Sequence, residues 1–306
     1  MTKSVTTPGH ADLWRRLVDD AAMFPPGNAS AREAVERHVG YRTGPLAEMV
    51  GPLVVADSNL AAVDREVGRT GAGPIEVSVI NTSGAGGLLG LAGRELDDLT
   101  VVSVESVLPD LDDLAGNAGR LVRAAAQLPD QVQVFVELPY AAGWERAVEV
   151  IEAAGMLGKI RTGGTEPADY PSPAQLAEQL SVLVEADLAF KATAGLHHAW
   201  PNAGHNEQGI FLPQHGFLNV MIAVHALVGD ADRAETASIL TDDYADRLAE
   251  VVGSWDATDV AKVRRRFHSF GCCGVTDPIN DLVTLGLTAR EHAWFADHHD
   301  PFDRED

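Results

Sequence analysis

The sequence predicts a single (β/α)8 barrel spanning residues 1–306, and three observations carry that expectation. Short runs rich in β-branched residues recur along the chain. Segments with apolar residues at three- and four-residue spacing separate them, and no Pro-, Ser- and Gly-rich linker divides the chain. Right-handed βαβ units repeated this often close most simply into a barrel.

Taken in order, the least marked strand comes first. Residues 18–24 (VDDAAMF) end abruptly at Pro25, Pro26 and Gly27 and lead into a helical segment at 31–39. They are preferred over residues 238–255 as the strand that completes the eight. The next strands are 52–57 (PLVVAD), 75–81 (IEVSVIN), 100–108 (TVVSVESVL), 132–138 (VQVFVEL), 157–162 (LGKIRT), 188–194 (LAFKATA) and 267–272 (FHSFGC). Amphipathic stretches at 60–67, 88–99, 111–128, 144–154 and 173–186 read as the crossover helices. Residues 291–306, acidic and His-containing, read as a last helix and a frayed tail. One rival signal points to a dinucleotide fold: Gly84-Ala85-Gly86-Gly87 after a strand, with Glu105 placed as a ribose-binding acid would be. Its spacing departs from G-x-G-x-x-G, and it leaves the lysines inside later strands unexplained.

Composition narrows the function. Lys and Arg number 23 against 45 Asp and Glu, a formal charge of −22, so the field of the molecule repels phosphate backbones and anionic lipid. Neither nucleic acid nor a membrane is expected as a partner; a homo-oligomer is compatible with the sequence. The two cysteines, Cys272 and Cys273, are adjacent and form no disulfide framework, and no long apolar segment or leader is visible. A cytoplasmic enzyme acting on a small anionic or carbonyl substrate is the expectation.

Alternation along the strands gathers the chemistry. In residues 157–162, Lys159 and Arg161 share the face opposite Ile160, and in residues 188–194, Lys191 and Thr193 share one face, with His197 just past the rim. Glu137 shares the inward face of its strand with Gln133 and Phe135. Two buried lysines near one another are expected to depress each other's pKa and free an amine to attack a carbonyl; the competing reading is an ion-pair layer that only holds the core. Thr162-Gly163-Gly164 and the glycines after the later strands offer backbone N–H groups to an anion, or serve as plain turns. His197, His198 and His215 form the densest histidine cluster, with Asn219 four residues beyond His215. They suit a general acid or base, or a divalent metal such as zinc, although no H-E-x-x-H or C-x-x-C pattern accompanies them. Of the two cysteines one faces the barrel, Cys273 being the candidate, and Asp277 reads as the cap of the helix that follows.

The segments LVDDAAMFPPG, GKIRTGG, FKATAGLHHAW, HGFLNV and FGCCGVTDPINDL resemble a bacterial family of uncharacterised (β/α)8-barrel proteins. Locally, FKATAG is similar to the strand that bears the Schiff-base lysine in class I aldolases such as deoxyribose-phosphate aldolase, and KIRTGG to the strand bearing its auxiliary lysine, in opposite chain order. The resemblance implies a class I aldolase style of site, without a cofactor. Lys191 would be the nucleophile and Lys159 its neighbour. Glu137 or His197 would shuttle the proton. Arg161, Thr162, Gly163, Gly164 and Thr193 would clamp a carbonyl or phosphorylated substrate, with His198, His215, Asn219 and Cys273 around it. The alternatives are a zinc-type hydrolase or isomerase using His197, His198 and His215, and a non-catalytic barrel that binds an anionic metabolite.

Overall fold

The computed structural model describes residues 10–205 and 209–292. Among the described residues ten strands occur: β1 (Val18–Asp20), β2 (Val50–Ala56), β3 (Ile75–Asn81), β4 (Leu99–Val107), β5 (Gln133–Glu137), β6 (Leu157–Arg161), β7 (Phe190–Thr193), β8 (Asn202–His205), β9 (Phe211–Gln214) and β10 (Phe267–Cys272). Strands β1 to β7 and β10 close into one parallel barrel, in which β10 pairs with β7 on one side and with β1 on the other. The strand expected within 18–24 is therefore present and completes the circle. The rival segment 238–255 is helical, contributing to Arg233–Leu240 and Ala245–Gly253.

Side-chain alternation divides each strand between two layers. Val77 and Val79 of β3, Val134 and Val136 of β5, Ile160 of β6 and Ala192 of β7 are buried and belong to the apolar clusters under the helices. The opposite faces of these strands enter the barrel. The helical crossovers sit near their expected places, at Leu60–Thr70, Gly84–Ala92, Leu114–Ala125, Trp144–Ala153 and Pro173–Glu185. Pro173 follows the Ser172 cap and is preset for the first turn of its helix.

The rival dinucleotide signal finds no support, and one expectation is corrected. The glycines near Gly84 open the helix Gly84–Ala92, where a Cβ at Gly87 would lie 1.9 Å from Asn81 Oδ1; Gly87 serves close packing between β3 and its helix. The sheet is closed, so the open crevice that a dinucleotide needs at a strand-order switch is absent, and Glu105 points into the barrel. Asp277 does not cap: the helix Thr276–Thr284 starts one residue earlier, without a side-chain cap.

Between β7 and β10 the chain makes a longer excursion than one crossover helix. The antiparallel hairpin β8–β9 comes first, then the helix Phe217–Val228 and three more helices before β10. Among the described residues no helix is long and apolar enough to cross a membrane. Of the expected tail at 291–306, residues 293–306 lie outside the described residues.

The turn after β7 is tightly made. Gly195 has φ +72°, and a Cβ there would stand 2.8 Å from the Thr162 carbonyl oxygen. Both the backbone conformation and the space require glycine. Gly195→Ala is expected to cost about 1–3 kcal/mol of stability, read as a lower urea midpoint with an unchanged slope.

Candidate active site

The alternation that puts apolar side chains under the helices sends a set of charged ones into the barrel. Glu105 of β4 is fully buried, and each of its oxygens meets an ammonium: Oε2 lies 2.9 Å from Lys159 Nζ, and Oε1 lies 2.6 Å from Lys191 Nζ. Lys159 continues to Glu137 of β5 at 3.0 Å, and Lys191 to Asp19 of β1 at 2.5 Å. Hydroxyls complete the shell: Ser269 donates to Asp19 at 2.8 Å and Ser78 to Glu105 at 2.8 Å. The Phe135 ring stands 5.3 Å from Lys191 Nζ, a cation–π contact that closes its apolar side. Burial pushes the Glu105 carboxyl up, but Lys159 and Lys191 outweigh it and hold its pKa well below the usual carboxylate range. For Lys191, burial favours the neutral amine, and Asp19 and Glu105 prevail, so its pKa lies above the ordinary lysine value.

Above this network opens a cavity of about 810 Å³ at the C-terminal mouth of the barrel, where barrel enzymes carry their sites. Glu105, Glu137, Lys159 and Arg161 line its charged side. Phe24, Val54, Ile80 and Val107 line the other, and the β8–β9 hairpin contributes His205, Leu212 and Gln214. His197 and Cys273 also border it. The imidazole of His197 has Nδ1 3.7 Å from Cys272 Sγ and 3.8 Å from Cys273 Sγ. Its pKa is lowered by burial and then by the neighbouring His198, and burial raises that of both thiols. At neutral pH this group is an uncharged donor and acceptor.

Several expected site residues fall elsewhere. Lys191 is 1% exposed and does not border the cavity, and its amine is held charged between two carboxylates instead of being freed by Lys159. The two lysines do not face each other unscreened, because Glu105 lies between them. Thr162 is buried and turns its hydroxyl to the backbone oxygens of Thr193 and Ala194. Gly163 serves close packing, since a Cβ would meet the Tyr170 ring at 2.6 Å. The amides of Thr165 and Glu166 already donate to the Asp169 carboxylate, at 2.9 and 3.0 Å, so the loop after β6 holds an anion of its own. Gly164, Thr193 and Arg161 do line the cavity. Arg161 is occupied in part by the Gly163 carbonyl at 3.3 Å, and Glu137 lies 3.8 Å away.

The histidines separate as well. His198 pairs with Asp281 at 3.0 Å, which raises its pKa, and His215 Nε2 meets the Pro171 carbonyl at 2.8 Å. Asn219 is buried and donates to the carbonyls of Ile239 and Asp242, tying two helices together. The helix starts at Phe217, so His215 and Asn219 do not share its face. Each histidine has a different partner, and among the described residues no group of three or more His, Cys, Asp or Glu side chains is arranged to hold a metal ion. Sequence reasoning missed Asp19 and Glu105 as site residues. The alternation rule applied to β4 would have found Glu105, which shares a face with Ser103 and Val107.

No protein-family model and no curated protein matches the chain. Among solved structures it is similar to the carboxyl transferase domain of Rhizobium etli pyruvate carboxylase with pyruvate and biocytin, at 11% identity and a TM-score of 0.42, over 86% of this chain and 50% of that one. The same domain with 3-bromopyruvate gives 11% and 0.43, over 93% and 56%. Dihydropteroate synthase of Xanthomonas albilineans with 4-aminobenzoic acid gives 14% and 0.37, over 89% and 92%. The chain thus spans about half the length of the carboxyl transferase chains it matches.

The network sets the pH dependence of stability. Glu105 has a lower pKa folded than unfolded, so its contribution is complete above the unfolded value of about 4.3 and is lost as pH falls towards the folded value. Lys191 has a higher pKa folded, so its contribution is complete below about pH 10.4 and is lost as pH rises through the folded value. Lys191→Met, which strands Asp19 without its ammonium, is expected to cost about 3–5 kcal/mol at pH 7 and to remove the alkaline limb, as measured by urea unfolding across pH.

Proposed function

We propose that the protein is an imine-forming lyase of the class I aldolase type, with Lys159 as the nucleophile. The observation that carries this reading is the position of Lys159: among the described lysines it alone borders the cavity, and its amine lies between two carboxylates, of which Glu105 also meets Lys191 and Glu137 does not. Glu105 is held ionised by Lys159 and Lys191 together, and the Lys191 charge remains beside it when Lys159 gives up its proton. Glu137 is in contact with the cavity and has no second lysine. It is therefore the group that takes the proton when the amine attacks.

The charges stay balanced through that exchange. At rest, Lys159, Lys191 and Arg161 face Asp19, Glu105 and Glu137. Passing a proton from Lys159 to Glu137 removes one charge of each sign. The neutral amine adds to the substrate carbonyl carbon, and the nitrogen's second proton moves to the former carbonyl oxygen, giving a carbinolamine. Glu137 returns its proton to that hydroxyl, water leaves, and a protonated imine remains on Lys159. The imine cation occupies the place of the resting ammonium, between the same carboxylates, so the site is complementary to the charged intermediate without rearrangement. It then acts as the electron sink for carbon–carbon bond cleavage or formation, with Glu137 or His197 within the cavity to move the second proton.

Lys191 in this reading is a positioning residue. Its fixed charge keeps Glu105 anionic when Lys159 is neutral. The local likeness of FKATAG to a Schiff-base strand is thus assigned to the auxiliary role, and that of KIRTGG to the reacting one. Two adjacent free thiols suit an enzyme of the reducing cytoplasm.

Incubation with small aldehydes and 2-oxoacids in the presence of cyanoborohydride is expected to leave a stable adduct on the peptide containing Lys159. Lys159→Met should abolish it while the protein stays folded by circular dichroism. An adduct on Lys191 would reverse the roles, and a lack of any adduct across the panel would remove the imine reading.

A further inference from the structure

We infer that the ligand of this cavity is an uncharged carbonyl compound with an apolar chain, and not a phosphorylated sugar; the carbonyl part of this assignment rests on the imine reading above. The first support is charge. The cavity is lined by two cationic side chains, Lys159 and Arg161, against three carboxylates, Glu105, Glu137 and Glu166. A phosphate dianion would enter a lining that already carries an excess of negative charge, within a molecule of formal charge −22.

The second support is the state of the groups that would hold a phosphate. The amides of Thr165 and Glu166, in the loop after β6, donate to the Asp169 carboxylate at 2.9 and 3.0 Å. The Arg161 guanidinium donates to the Gly163 carbonyl at 3.3 Å and faces Glu137 at 3.8 Å. An incoming anion would have to displace the protein's own acceptors.

The third support is the opposite wall. Phe24, Val54, Ile80, Val107 and Leu212 come from the β1, β2, β3 and β4 rim and from the β8–β9 hairpin, and all border the same cavity as Lys159. The charged groups lie on the β4–β7 side, and the wall across from them is mainly apolar, with Asn28 and Thr82 beside Phe24 and Ile80 and with His205 and Gln214 on the hairpin. A carbonyl carbon at Lys159 would send its substituent towards that wall, where each buried methylene strengthens binding about fourfold.

Non-carbonyl probes separate this assignment from the imine chemistry. Calorimetric titration of the full chain with 1-butanol, 1-pentanol and 1-hexanol is expected to show affinity rising with each methylene, and glycerol 3-phosphate should not bind. Ile80→Ser should weaken 1-hexanol about tenfold, with Val107→Ser as the second variant if the first does not fold. Binding of glycerol 3-phosphate that is lost in Arg161→Gln, or alcohol binding indifferent to chain length and to both variants, would overturn the inference. Hexanal with cyanoborohydride then tests the chemistry: 1-hexanol binding without a Lys159 adduct rejects the imine and keeps the apolar ligand, whereas a glyceraldehyde 3-phosphate adduct without 1-hexanol binding does the reverse.

Discussion

A carboxylate without water needs hydrogen-bond donors or opposite charge to hold it ionised, and Glu105 obtains an ammonium on each oxygen from two different strands. Lys159 on β6 and Lys191 on β7 each bind one oxygen. An ammonium in the same dry interior needs more than one oxygen in turn, which brings in Glu137 for Lys159 and Asp19 for Lys191. The chain of opposite charges therefore runs from β1 through β7, β4 and β6 to β5 across the barrel. A buried network of this kind contributes little net stability when complete and is strongly destabilising when one member is removed. Its presence constrains the register of five strands, because a slip of one residue would turn each charged group towards the helices.

The same network gives two chemically similar side chains different tasks. Cα pairing sets Lys159 opposite Lys191, yet only Lys159 borders the cavity. Lys191 is shut in by Phe135, Asp19 and Glu105. In the proposed chemistry the enclosed lysine supplies a constant charge, and the one at the cavity exchanges its proton with Glu137 without leaving Glu105 unpaired. The mouth above them is polarised in the same direction, charged over β4–β7 and apolar over the β1–β4 rim.

The barrel was largely legible from alternation and spacing. Residues 75–81 and 267–272 form strands with the expected bounds, and Lys159, Arg161, Glu137 and Thr193 point inward as their strands require. What escaped was the identity of the charges between the lysines. Asp19 lies on a strand of three residues, too short to show a period, and Glu105 carried a competing meaning beside the glycines of Gly84–Ala92. Without them the lysines looked like mutual neighbours, which gives the wrong sign for the Lys191 pKa. The histidine cluster misled for a related reason. Closeness in sequence within residues 197–215 does not survive an intervening hairpin, and His198, His215 and Asn219 take partners in three different segments. The glycine turn after β6 reads as an anion site or as a plain turn, and Asp169, six residues after Gly163, takes the amides of Thr165 and Glu166 that follow it.

The charge state of Lys191 is the point on which the division of labour stands. Nuclear magnetic resonance of protein labelled with 15N at the lysine side chains, titrated through alkaline pH and assigned with Lys191→Met, reads it directly. The Lys191 ammonium is expected to keep its proton beyond the ordinary lysine value of about 10.4, in accord with its two carboxylate partners. Loss of that proton below the ordinary value would show Lys191 to be the freed amine, and would contradict the assignment of Lys159 as the reacting group.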